Sequence, residues 1–490
     1  MKIKSTKLKI IFFITILVFL FISVSKLISN TDNNFLFKVK SFIPNSIKTH
    51  LKNTIFLIPS LNDKIKELEK ENKSLKNDIT NKKRALKNIK DKYFSGSYPL
   101  ISFYLEEKDR IIKSKYSNYK LTTFQTSFLD NGKAKAAKAS AYLEEYEDKI
   151  LLANGDGVFS YFYKEDLNKN KFDSITISSN IKEIIDYREF YKKSEDGIKD
   201  ILIDGNKIFV SFSNQLPDQL PNYCYNTSIL VADINFEYLK FNKFFVPDQC
   251  VISYEDYERF NPHIAGGRMV DFKDNKILFS TGAFQYFKHP QDKESPLGKI
   301  LSIDKDNGNW DVISMGHRNI QGLKYNREED IIFMTEHGPK GGDEFNINFN
   351  PNPNSIKNYG WPISSYGKHY NKSKYAESPL HKSHKKYGFI EPIKYYVPSI
   401  AITEIEKIPK KFNKDFDNDF FIGSMGTLIE EGDLSFHHIK LDKEFKKILK
   451  EDVIVIGERI RDFKYIEDIN KIVLFIENSP GIAVLSYYKE

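Results

Sequence analysis

Cysteine is nearly absent from this 490-residue chain: Cys224 and Cys250 are the only two, with no CxxC pair and no Cys/His spacing. That excludes a zinc-ligand framework. The two thiols either stand apart or, in an oxidising compartment, close one loop as a disulfide. A basic surface is also missing where it would matter. Residues 1–92 carry 20 lysines and arginines against 7 acids, whereas the rest of the chain carries 54 against 59. The formal charge of +8 therefore belongs to the N-terminal segment, and the mildly acidic remainder excludes nucleic acid as a partner. Beyond about Tyr93 there is no long helical periodicity. Aromatic side chains, by contrast, are plentiful, with 39 Phe and 28 Tyr. Such a chain has ample material for a core and is not disordered.

The N-terminus reads as an export signal. Lys2, Lys4, Lys7 and Lys9 precede the apolar run Ile10–Val24, and the stretch extends through Lys26 to Ile28. It approaches the length that spans a bilayer, and Ser23-Val24-Ser25 is a poor cleavage site. Residues 1–30 are thus predicted to form an uncleaved anchor, with a removed signal peptide as the alternative. The basic flank would stay in the cytoplasm, placing the rest on the periplasmic or extracytoplasmic side. After a linker over 31–59, a stalk is predicted over 60–92. Leu61, Ile65, Leu68, Asn72, Leu75, Ile79, Lys82, Leu86 and Ile89 alternate in steps of four and three, a heptad seam. It is suited to homo-oligomerisation, with Asn72 favouring one register, or to packing as a single amphipathic helix.

The remainder, 93–490, repeats one signature: an acidic or Asn-rich turn followed by an apolar strand. The copies are YEDKILLANGDG (146–157), IDGNKIFVSFSN (203–214), FKDNKILFSTG (272–282), NREEDIIFMTEHG (326–338), DFDNDFFIGSMG (415–426) and EDINKIVLFIENSPG (467–481). Six such repeats predict an all-β, six-bladed β-propeller, each copy being read as a turn plus an inner strand. A β-sandwich fits the wide spacing less well. Small or polar residues ending these strands, Glu336, His337 and Gly338 among them, would face the channel where ligands bind. Nearby, Thr335–Glu344 (TEHGPKGGDE) combines tight turns, outward carbonyls and carboxylates, which are oxygen ligands suited to Ca²⁺.

The ordered set GHRNIQGL (316–323), TEHGPKGGDE (335–344) and NYGWP (358–362) resembles the glucose/sorbosone dehydrogenase family. NPHIAGGRM (261–269), LGKIL (297–301), VPSIA (397–401) and RIRDF (459–463) extend the likeness from about Glu145 to the C-terminus. The resemblance implies a six-bladed propeller that binds pyrroloquinoline quinone (PQQ) and calcium and oxidises an aldose at its anomeric carbon. By position, His263 resembles the base that takes the anomeric hydroxyl proton. Arg318 and Asn319 resemble the pair beside the quinone, and Arg459 and Arg461 the contacts to its carboxylates. The carbonyls of Gly338 and Pro339 match ligands of the cofactor's calcium. Asp343 belongs to the same calcium-binding run, and Glu344 and Tyr359 resemble a second, structural calcium site.

Three positions depart from the family pattern. His263 and Arg268 are one residue further apart than usual. Glu195 stands where a Gln commonly contacts the reaction centre, and Gly426 where a lysine binds the cofactor. These departures leave room for a different class of protein, an inactive propeller acting as an envelope carbohydrate- or protein-binding module. A third possibility makes the propeller cargo and the stalk the recruiter of a membrane partner. The sugar and the electron acceptor are not legible in the sequence.

Overall fold

The computed structural model describes residues 64–82, 84, 100–126, 140–185, 197–219, 222–252, 260–370 and 375–489. The expected anchor, the linker and Glu195 lie outside them. The chain divides into two compact units, Met1–Ile89 and Lys90–Glu490. In the first, residues 64–82 are helical, and the seam residues Ile65, Leu68, Leu75 and Ile79 are all exposed. No helix among the described residues is long and apolar enough to cross a membrane.

The second unit is all-β and propeller-like. Its strands pair into five sheets, and the largest, of ten strands, holds two of six antiparallel runs joined through Leu100–Lys113. Five are consecutive, opening on Ala141–Tyr146, Gly197–Asp204, Gly266–Phe272, Ile320–Asn326 and Ile402–Ile408. The sixth opens on Ile460–Ile466 and continues through Lys471–Ile476 and Gly481–Tyr488. Its outer strand, Asn118–Gln125, comes from the N-terminal side of the unit. This last pairing ties the two ends of the domain together. The opening strands touch one another in a closed order, each meeting the next and the last meeting the first. Ring closure leaves the inner sheet edges short and protected.

The six sequence repeats lie on the second strand of each run, not on the innermost one. Lys149–Asn154, Lys276–Thr281, Ile331–Glu336, Asp419–Ser424 and Lys471–Ile476 are buried almost throughout, because neighbouring sheets cover both faces. The turns that introduce them explain the recurring Asp, Asn and Gly. Gly205, Asp274, Asn275, Asp330 and Asn470 all adopt positive φ, which tight hairpins require.

The opening strands look different in sequence because they are interrupted. Their pairing shifts register between Ile198 and Asp200, Gly266 and Met269, Ile320 and Gly322, Ile402 and Ile405, and Ile460 and Asp462. Bulges of this kind re-aim side chains. Here the same device recurs in five of the six runs. Away from the axis, a disulfide joins Cys224 to Cys250 and fastens the strand Asn222–Asp233 to the segment before Val251.

Candidate active site

The bulged strands converge on one side chain. Arg268 Nη1 lies 3.1 Å from Asp200 Oδ1, 2.9 Å from Glu404 Oε2 and 2.8 Å from Asp462 Oδ1, and all four side chains are buried. Its Nε donates to the Gln321 carbonyl at 2.7 Å, and Nη2 donates to the Arg461 carbonyl at 3.2 Å. Its guanidinium also sits 5.0 Å over the Tyr142 ring. Arg268 therefore touches every run of the ring. The carboxylates are held in turn by backbone donors: Met269 N to Asp200, Ile405 N to Glu404, and Leu143 N to Asp462.

One guanidinium among three buried carboxylates leaves excess negative charge. Burial raises Asp200 to about 8 and Glu404 to about 7, with Arg268 opposing the shift. The cluster thus retains a proton at neutral pH. Acids whose folded pKa is raised stabilise the fold below their unfolded pKa, near 4, and lose that contribution as pH rises through the folded value. Thermal melts between pH 5 and 8.5 should accordingly show the melting temperature falling as pH rises. Asp200→Asn should flatten that dependence. A melting temperature that climbs over this range would contradict the shared-proton cluster.

Arg461 carries the contact outward from the axis. Its Nε lies 2.5 Å from Glu477 Oε1, and Arg459 Nε lies 3.0 Å from Oε2 of the same carboxylate, which is fully buried. Glu477 clamps both arginines expected from the sequence, and Arg459 also bonds the Met425 carbonyl. Glu336 holds the opposite wall. Its Oε1 accepts the Arg318 backbone N–H and its Oε2 lies 2.9 Å from His317 Nδ1. Both carboxylates fall five residues after their repeat anchors, Ile331 and Ile472, so the repeat itself could have singled out Glu477.

Arg318 is the most exceptional group in the site. Its guanidinium is buried and makes no ion pair among the described residues. Nη1 donates to the His337 carbonyl at 3.0 Å, the Trp361 ring lies 5.5 Å away, and Nε has no partner. Burial lowers its pKa. His337 Nε2 is likewise buried and unpartnered. Burial, partly offset by Asp343, and then the charges of Arg318 and Arg461 lower the His337 pKa, favouring a neutral ring. Buried donors left without partners are costly and call for a ligand.

The other expected residues are distributed unevenly. His263 is exposed on the turn 261–264, whose backbone bonds through Phe284 and Ala283 to the Arg318 carbonyl. Asn319 spends its Oδ1 on Gly266 N, tying two runs together. Gly338 has no room for a Cβ against the Gly342 carbonyl, so the Gly338–Pro339 turn is sterically fixed. Asp343 accepts hydrogen bonds from Gly338 N, Ser399 Oγ and Ile402 N, so it braces that turn rather than offering an oxygen outward. At Gly426 a side chain would collide with Asp433, which fills the place where the family pattern has a lysine.

The expected second calcium site is occupied by protein. His384 Nδ1 lies 2.9 Å from the Tyr359 carbonyl, and its Nε2 lies 3.2 Å from Glu344 Oε1. Burial raises Glu344. It opposes charge on His384, yet contact with Glu344 raises that ring as well. Calcium takes six to eight oxygens, and these residues do not fit it. Among the described residues no cluster of three or more His, Cys, Asp or Glu side chains is arranged to hold a metal ion.

The family model for glucose/sorbosone dehydrogenases matches residues 169–485. The chain belongs to that family. It is 31% identical to an uncharacterized protein of Synechocystis sp. over 208 residues, 40% of this chain and 47% of that protein. It is 28% identical to the aldose sugar dehydrogenase YliI of Escherichia coli over 236 residues, 45% of this chain and 59% of the relative. The aligned part thus spans about half the length of these curated relatives. The crystal structure of the soluble aldose sugar dehydrogenase from Escherichia coli, in its apo form, superimposes with a TM-score of 0.55 at 17% identity. That match covers 76% of this chain and all of the other, and it speaks for the fold. The chain is thus a propeller-like member of the glucose/sorbosone dehydrogenase family.

Proposed function

We propose that this protein is an exported, membrane-anchored, six-bladed quinoprotein that oxidises an aldose at its anomeric carbon. The observation that carries the reading is the pair of buried, unpartnered groups, Arg318 Nε and His337 Nε2, with Arg461 near enough for its charge to act on the His337 ring. A cofactor bearing carboxylates and quinone oxygens would accept from the unpartnered Arg318 Nε. When bound, PQQ supplies a two-electron acceptor. A calcium ion beside it would rest on the carbonyls of Gly338 and Pro339, since Asp343 is fully engaged. The anchor and stalk rest on the sequence pattern, with the exposed seam of helix 64–82 suited to a second copy of the chain.

The protein's own residues then have distinct tasks. His263, exposed on its turn, accepts the anomeric hydroxyl proton. Arg318 offers fixed positive charge in a site already stripped of water, where it acts without reorganisation. Glu336 and Glu477 position the arginines. Asp433 against Gly426 favours a second reading: a carboxylate where a lysine would bind disfavours an anionic cofactor, as in a propeller that only binds envelope carbohydrate or protein.

Turnover of a panel of aldoses by the full-length protein, supplied with PQQ, calcium and an artificial electron acceptor, separates the two. The dehydrogenase should turn over, and His263→Ala should lower kcat by about 10²–10⁴-fold. Absence of aldose-dependent turnover in the wild type, or full activity in His263→Ala, would overturn the assignment.

A further inference from the structure

We propose that the Cys224–Cys250 disulfide is a positioning element: it fastens a small apolar cluster that fixes the turn 261–264, and with it His263. The task of His263 as a base comes from the dehydrogenase reading, whereas the fixing of its turn does not depend on it. Val251 and Ile252 pair with Tyr225 and Cys224 over only two residues, too short a ladder to persist alone. The crosslink holds the Cα atoms of the two cysteines 5.5 Å apart. Beside it the fully buried Asn226 donates through Nδ2 to the Pro247 carbonyl at 2.7 Å.

Contacts lead from this clamp to the turn. Tyr225, Val251, Ala265, Phe284 and Leu297 form a separate buried apolar cluster. Phe260, just before the turn, packs on it, with its ring 4.9 Å from Tyr225 and stacked on Phe284 at 6.2 Å. The Tyr286 hydroxyl donates to the Ile252 carbonyl at 2.6 Å, and Thr227 Oγ1 donates to the Ala265 carbonyl at 2.6 Å. Phe284 then grips the turn at both ends. Its carbonyl accepts the Asn261 N–H at 3.0 Å, and its own N–H donates to the Ile264 carbonyl at 2.9 Å. Within the turn, Asn261 Oδ1 accepts the His263 N–H at 3.0 Å. The gripping segment is strained. Phe284 and Gln285 have φ of 47° and 70°, a left-handed backbone that residues with side chains enter only under constraint. Such a segment keeps its shape while its surroundings over-determine it. The disulfide secures the outer end of the cluster, so its loss lets the strained pair relax and the turn with it.

Hydrogen–deuterium exchange of the full-length protein tests this without quinone or sugar. In Cys224→Ala/Cys250→Ala, the amides of Asn261, Ile264, Ala283 and Phe284 should exchange about 10-fold or more faster, while those of Ile331–Glu336 keep wild-type rates. Wild type reduced with dithiothreitol should behave alike, and it serves if the double variant does not fold. Ile472→Val, in the core of the sixth run, should lower the melting temperature yet leave the turn protected. Unchanged exchange at the turn, or an equal rise in Ile331–Glu336, would overturn the proposal. With PQQ, calcium and an aldose, the double variant should lose about 10-fold or more in kcat with KM within about twofold, as for a displaced base. Wild-type kcat in that variant would also overturn the proposal. A wild type without turnover would instead overturn the dehydrogenase reading, and exchange alone would then decide whether the disulfide fixes the turn.

Discussion

Arg268→Leu should destabilise the propeller by about 3–5 kcal/mol at pH 7, more than any other single change at the axis. The leucine replaces the volume of the stem but removes the one cation in contact with Asp200, Glu404 and Asp462, leaving them only the more distant charge of Lys464. It also frees the carbonyls of Gln321 and Arg461. Because Asp200 and Glu404 already lean towards protonation, the deficit should shrink towards pH 5. Arg268→Lys should recover only part of the loss. One ammonium cannot reach three carboxylates and two carbonyls in the planar geometry that a guanidinium offers. Urea unfolding of the three proteins at pH 5 and pH 7 measures all of this. A loss below about 1 kcal/mol at pH 7, the range of an exposed ion pair, would show that the cluster does not hold the runs together.

Arg318→Leu should do the opposite to stability while removing function. The native guanidinium is buried with an unpartnered Nε and no ion pair among the described residues, so deleting it relieves desolvation. Melting temperature should stay level or rise. Turnover should fall by about 10²–10³-fold, the size expected when one preorganised electrostatic donor is lost. Such a trade of stability for activity marks a residue retained for chemistry. Kinetics and melting curves on the same preparation test it. A variant that loses stability and activity together would instead make Arg318 a structural tie between runs.

These two arginines also show what was legible in the sequence. The repeat stood out because second strands are buried on both faces and read as unbroken apolar runs. The opening strands were hidden by their bulges, which put Asp200, Arg268, Gln321, Glu404 and Asp462 where an apolar residue would have announced a strand. Arg268 therefore stood out only as the end of a spacing from His263, although it organises the axis. Arg318, Arg459 and Arg461 could be picked out by motif; Arg318 bonds the His337 carbonyl, and Arg459 and Arg461 share Glu477. Glu477 could have been found as the partner of Glu336 in the repeat. His384 could not, because its insertion follows no periodicity and the bridge to Glu344 spans 40 residues of irregular chain.

The most direct test of the quinoprotein assignment is a PQQ titration of the full-length protein, followed by the quinone's absorbance, with and without calcium. Binding should be saturable and calcium-dependent at about 100 µM or well below, and the bound chromophore should bleach when an aldose is added. No binding at concentrations of about 100 µM would contradict the assignment. The Asp433 carboxylate at Gly426 would then identify a propeller that has given up its cofactor.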